Sequence, residues 1–313
     1  MGIKNIKRRI NIWILLISSS LFLPGITQAE ERLNFIQRFG IKMSSGFSYL
    51  IVGDINNHLE SGNEMHMDYA QYFNGEKKGE LRKIRHGSDS EVELTFDIAS
   101  RLRIGLASGY VYGRRESSSG FEVSPPGFYD VDFTFSPRIS INAVPIKLGV
   151  YYMLPFSSKA TLFINAGIGY YFAKTNFYWK QREIWTEDGS MVVDIREMVE
   201  WDLSSKGSGY HGGIGFEYDF TRNLALVIEA QGRYARIKKL KGDEIYVGTM
   251  YAEQNYYGAM YYFEKKDVIT DKYYSRLGFY KEKPDNPDYR NIRNAELDLS
   301  GFFLRIGIRI RLF

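Results

Sequence analysis

From Leu304 to Leu312 the chain reads Leu-Arg-Ile-Gly-Ile-Arg-Ile-Arg-Leu, with aliphatic residues at even positions and arginine or glycine at odd ones. A repeat of two residues puts successive side chains on opposite faces of a β-strand. Both faces are strongly marked here, so each needs its own surroundings. A strand between lipid and a polar barrel interior supplies them. The plainer alternative is a secreted sheet with one polar face turned to water.

The alternation recurs seven times upstream. The first segment runs from Arg38 through Lys42 to Phe47 and Tyr49, and the second from Glu91 to Ile98. The third alternates Leu102, Ile104, Leu106, Tyr110 and Tyr112 with Arg103 and small residues. The fourth holds Arg138 to Asn142 and then Ile146 to Tyr152, and its phase slips near Val144-Pro145, which predicts a bulge. The fifth spans Leu162 to Phe172, the sixth Tyr210 to Tyr218, the seventh Leu224 to Tyr234, and the eighth ends the chain.

Connections of about three to eight residues alternate with connections of roughly 24 to 59. An even strand count with short turns on one side and long loops on the other is the layout of a transmembrane barrel. The fold expected is therefore all-β: an eight-stranded antiparallel transmembrane β-barrel with long extracellular loops. A further hairpin around Tyr246–Met250 and Tyr256–Phe263 would raise the count to ten. Tyr110, Tyr112, Tyr170 and Tyr234 fall at loop-side strand ends, where an aromatic girdle would meet the membrane interface. The mean hydropathy of -0.31 does not oppose a barrel, because lumen-facing residues offset lipid-facing ones.

The N-terminus follows a different logic. Lys4, Lys7, Arg8 and Arg9 precede an apolar stretch from Ile10 to Leu23, and Thr27-Gln28-Ala29 offers a small-residue cleavage site. That order predicts a signal peptide over 1–29, with the barrel domain over 30–313. Without its four basic residues the chain carries 37 basic and 37 acidic residues. Its overall basicity therefore belongs to the export segment and argues for no nucleic-acid partner. With no cysteine there is neither a disulfide framework nor a thiolate site.

The chain resembles the small outer-membrane barrels of the OmpA, OmpW and OmpX type of Gram-negative bacteria. Val144-Pro145-Ile146 leading to Tyr151-Tyr152, Ala166-Gly167-Ile168-Gly169-Tyr170-Tyr171, and a last strand ending in Phe313 carry the resemblance. It implies residence in the outer membrane, contact with its lipid, and insertion by the barrel-assembly machinery through the C-terminal strand. In these families the terminal aromatic shares a face with the strand's apolar residues. Here Phe313 shares its parity with Arg309 and Arg311, and Leu312 is the residue in phase with the isoleucines.

The lumen of an eight-stranded barrel is filled by side chains or holds one small ligand. The inward charged set predicted is Arg38, Lys42, Glu93, Asp97, Arg103, Arg138, Glu217, Glu229, Arg233, Arg305, Arg309 and Arg311, with Glu91 and Lys147 beside them. Opposite charges fall on neighbouring strands, so a salt-bridged plug is expected. A narrow path or gate lined by excess arginine is the alternative.

The long loops hold all three tryptophans of the mature chain, Trp179, Trp185 and Trp201, and the tyrosine pairs Tyr256-Tyr257, Tyr261-Tyr262 and Tyr273-Tyr274. Such residues recur at binding surfaces for glycans, lipids or proteins, and also pack loops together. Asp188-Gly189 between apolar flanks predicts a hairpin that extends the barrel above the membrane. His58, Glu60, Glu64, His66 and Asp68 match no metal-ligand spacing and read as a solvated acidic loop, with no metal and no cofactor. Ser208, His211 and Glu229 are a weak candidate for nucleophilic catalysis, since Ser208 and His211 differ in parity. The function expected is non-enzymatic: a narrow salt-bridged lumen under loops for surface binding or adhesion. The alternative is OmpW-like passage of small hydrophobic molecules, or a narrow gated channel.

Overall fold

A computed structural model describes residues 35–312 apart from 126, 128 and 250. The predicted export segment 1–29 and Phe313 lie outside the described residues. After a short 3-10 turn, the chain runs through β1 (Phe39–Gly53), α1 (Asp54–Tyr72), β2 (Glu76–Glu80), β3 (His86–Ala99), β4 (Leu102–Glu116) and β5 (Ser118–Val123). It continues through β6 (Asp130–Pro155), β7 (Ala160–Glu187), β8 (Ser190–Asp219) and β9 (Leu224–Lys238). The last elements are β10 (Lys241–Gly248), β11 (Tyr251–Lys266), β12 (Tyr273–Tyr280), β13 (Tyr289–Asn294) and β14 (Glu296–Arg311).

Strands β1, β3, β4, β6, β7, β8, β9 and β14 pair in that order, each antiparallel to the next, and β14 pairs back to β1. The eight alternating segments are these eight ring members. The hairpin expected near residues 246–263 forms as β10 and β11, but β10 pairs with the upper part of β8, from Lys241↔Ser204 to Gly248↔Glu197. It adds to the sheet above the ring and does not widen it.

The expected bulge at Val144-Pro145 is absent. β6 and β7 keep one register from Asp130↔Thr186 to Pro155↔Thr161. What changes near Pro145 is the medium around the strand, not its phase. On β7 the outward residues Ile164, Ile168, Tyr170 and Phe172 give way to exposed Lys174, Lys180 and Arg182. On the inward face Asn165 gives way to Tyr171, Ala173 and Phe177, all buried. β9 changes in the same way, with Tyr234 followed by Arg236 outside, and Arg233 followed by Ala235 and Ile237 inside.

Parity is conserved and chemistry is inverted. In the lower band the outside is lipid and the inside polar; above it the outside is water and the inside an apolar core. About 9–11 residues cross a membrane as a tilted strand, and β7 has 28. Most of β7 therefore belongs to an extracellular crown. Tyr110, Tyr112, Tyr170 and Tyr234 all point outward near the changeover. The β7–β8 hairpin turns at Asp188 (φ 47°) and Gly189 (φ 77°), the two left-handed residues of a tight hairpin turn.

The first long connection is not a solvated acidic loop. It contains a 19-residue helix, α1, which buries Ile55, Leu59, Gly62, His66 and Ala70 along one side. These recur every three or four residues, as a core-facing helix stripe must. Asn56 and Asn63, two turns apart, each clamp one residue's backbone with the side-chain amide, and Asn56 donates also to the Ile51 carbonyl at 2.7 Å. Asn56 bonds the N–H and C=O of Ile84 at 2.8 and 2.9 Å, and Asn63 those of Leu81 at 2.7 and 2.7 Å. The Asp54 carboxylate takes two bonds of 2.6 Å from Arg293 and one of 2.8 Å from the Glu296 N–H. The helix is thereby fixed both to the segment that follows it and to the C-terminal strands.

Candidate functional site

The barrel interior contains two charge clusters. In the upper one, Lys42 lies 2.7 Å from Glu93, 3.0 Å from Glu229 and 3.6 Å from Glu91. Arg305 meets Asp89 at 3.1 Å and Glu91 at 2.8 Å, and also contacts Glu229. Arg233 meets Asp89 at 3.0 Å, Lys147 contacts Glu91, and the Tyr151 hydroxyl donates to Glu93 at 2.5 Å. Four cations face four carboxylates. In the lower cluster Arg103 binds Asp97 (2.5 Å) and Glu217 (3.1 Å), Arg309 contacts Glu217, and Arg311 bridges Glu217 (2.9 Å) and Asp219 (2.8 Å). Three cations face three carboxylates.

An arginine-rich ion path would leave cations unmatched along the axis, whereas the two clusters balance four against four and three against three. Buried charges are tolerated when paired in this way. Arg38 sits at the lower mouth, where its guanidinium donates to the Ile98 carbonyl at 3.2 Å. With Asp97, Arg103, Glu217, Arg309 and Arg311 it lines a cavity of about 520 Å³.

Arg138 is not a lumen residue. It is exposed on the outside of the crown, bonded to Glu116 at 3.0 Å and placed over the Tyr178 ring. Its neighbours Ile139 and Ile141 are the inward residues. The misassignment follows from equating polar with inward, which fails above the changeover. Asp89 and Asp219 lie beyond the ends of the alternating segments as read from the sequence, and both belong to the clusters.

Above the upper cluster the interior becomes apolar. Leu50, Val52, Ile139, Ile141, Tyr171, Phe177, Leu203, Ile237 and Leu297 form one core with Ile55 and Leu59 of α1. Every ring strand except β3 contributes to it. The channel axis is thus closed twice, first by ion pairs and then by close-packed side chains.

The loop aromatics do not form an exposed ridge. Trp201, Tyr262 and Tyr274 are buried, Trp179 packs against the core, and Tyr261 is half-buried. Trp185 stacks on Tyr129 at the hairpin tip. Tyr256, Tyr257 and Tyr273 are the exposed members of the set. The tyrosine pairs occur on strands, so one partner of a pair often turns inward.

The buried aromatics enclose a second cavity of about 470 Å³, between α1 and the β11–β12 sheet. His58, His66 and Arg276 face it. The His66 imidazole meets the Ser119 hydroxyl at 3.0 Å and packs on Phe121 and Phe133. Burial, with Arg276 nearby, pulls His66 down to about 4 and His58 to about 3. Both histidines are therefore neutral at neutral pH.

A histidine held neutral by the fold is protonated more readily in the unfolded chain. Its contribution is complete above the unfolded value near 6.5 and is lost as pH falls toward the folded value. For His66 the loss at pH 5 is about 2 kcal/mol. Limited proteolysis of the crown should accelerate on acidification from neutral pH to 5. In His66→Phe the dependence should be shallower by about one bound proton. Parallel curves for the two proteins would assign the effect to other groups.

His211 is an inward residue beside the upper cluster, paired across the strands with Arg233 and 9% exposed, whereas Ser208 points outward. The two therefore lie on opposite faces of β8, and Glu229 is committed to Lys42 and Arg305. No group of three or more metal-ligating side chains gathers among the described residues.

A closed ring of eight two-faced strands, with apolar residues outward over one band and paired charges within, defines an outer-membrane β-barrel. The outer membrane protein beta-barrel domain model matches residues 53–252, and the chain belongs to that family. Among solved structures, the outer membrane protein OprG from Pseudomonas aeruginosa is similar at 10% identity and a TM-score of 0.36, over 87% of this chain and 94% of that one. No curated protein matches.

Proposed function

We propose that the protein is a non-conducting, non-enzymatic outer-membrane barrel that carries a ligand-binding crown at the Gram-negative cell surface. On this reading the segment 1–29 is a cleaved export signal, and the C-terminal strand delivers the barrel to the assembly machinery. One observation carries it: the axis is closed by two successive layers, the balanced ion pairs and the apolar core, whereas a cavity of about 470 Å³ remains in the crown. Binding in this crown is enclosed between α1 and the β11–β12 sheet.

Passage of small hydrophobic molecules would begin in the same cavity, whose aromatic walls suit such cargo. Its next step would have to displace Trp201, Leu277 and the core beneath them. Planar-bilayer recording of the refolded mature barrel tests the choice. Silence in the wild type and in Arg309→Ala is the expected result. Steady conductance that changes with Arg309 would make the lumen a path and overturn the reading.

A further inference from the structure

The crown cavity has an unusual charge balance. Lys265, Lys266 and Arg276 line it beside the neutral His58 and His66, against one acid, Asp267. That carboxylate is already occupied. It accepts from the Tyr69 hydroxyl, from the N–H groups of Ile269 and Thr270 at 3.1 and 2.9 Å, and from the Thr270 hydroxyl at 3.0 Å. Asp68, nearby on α1, is taken by Lys272 at 2.8 Å and Tyr274 at 2.5 Å. Lys266 is paired with Asp271 at 2.5 Å.

Arg276 differs from these. Its guanidinium contacts the Met65 thioether, and no carboxylate among the described residues lies within ion-pair distance. Burial holds it below the ordinary arginine range. In the barrel below, by contrast, each buried cation has its carboxylate. Arg276 is partly buried, feels the Asp267 charge but makes no ion pair with it, and so is available to a carboxylate brought into the cavity. The walls around it are flat rings, among them Phe133, Phe135, Trp179 and Trp201, and the volume suits a small organic molecule.

We propose that the crown cavity binds a flat aromatic carboxylate, its ring between the aromatic walls and its carboxylate on the Arg276 guanidinium. The inference rests on the crown reading above and names the ligand class for it. Guanidinium and carboxylate match as a two-point, charge-assisted pair. The one lining acid is held by Tyr69, Ile269 and Thr270 and makes no ion pair with Arg276, so the guanidinium is left for an entering anion.

Calorimetric titration of the refolded full barrel with naphthalene-2-carboxylate, and with the neutral isostere naphthalene-2-carboxamide, tests this. The carboxylate should bind at least about tenfold more tightly, the scale of one charge-assisted pair. Arg276→Gln should remove that preference and leave carboxamide affinity unchanged, and Arg276→Lys should restore part of it. Unchanged carboxamide binding shows that the variant crown is folded. Equal affinity for both probes in the wild type, an unchanged preference in Arg276→Gln, or no binding of either probe would each overturn the proposal. The crown reading itself falls on a different result, conductance through the lumen.

Discussion

Arg305→Met is expected to lower the unfolding free energy of the barrel by about 3–5 kcal/mol, the usual cost of breaking a buried ion pair from one side. The side chain is 1% exposed and touches Asp89, Glu91 and Glu229. Methionine fills a similar volume, so the loss reports charge and not a cavity. Four carboxylates would then face only Lys42, Lys147 and Arg233. Urea titration of the barrel in phospholipid vesicles measures the effect. Adding Glu229→Gln to the variant should recover part of the loss, because it removes the surplus negative charge and leaves three carboxylates against Lys42, Lys147 and Arg233. A loss below about 1 kcal/mol, typical of exposed pairs, would mean that water reaches the network freely.

Phe177→Ala is expected to cost about 3–5 kcal/mol as well, but in a different place. Phe177 is fully buried in the apolar core, 5.1 Å from the Trp201 ring and 6.1 Å from His58. Its removal opens a void where α1 meets the barrel wall. The crown can open without the membrane band, since local and global unfolding need not coincide. Proteolysis of the segments above the tyrosines should therefore accelerate while the electrophoretic shift of the folded barrel is kept. Unchanged proteolysis would show that the core above the ion pairs is not what holds the crown.

The barrel was legible because lipid imposes a strict rule on strands. Ile306, Ile308 and Ile310 alternating with Arg305 and Arg309 can be read without a structure, as can the short turns between paired strands. The crown was less legible for two physical reasons. At Ile139 and Ile141 the alternation continues, but the media on the two faces have changed places, so the pattern alone points Arg138 inward. In α1, the stripe Ile55, Leu59, Gly62 and His66 has helical spacing, yet acidic and amide residues dilute it, and half of its anchoring is polar. The pairing of Asn56 and Asn63 with the backbone at Ile84 and Leu81 replaces a strand partner, which no period reveals. Arg276 gave no signal in the sequence. Its significance lies in the carboxylate it lacks, and that emerges only once β12 is folded against α1.

The two closures of the axis act in series, and that sets how leakage scales. If the ion-pair layer and the apolar layer open independently, each in ~0.1% of molecules, a continuous path exists in only about one molecule in a million. A fluctuation or lesion that loosens one layer leaves the permeability barrier intact. Copy number at the surface is then decoupled from leak, so a cell could display this crown densely without compromising its envelope.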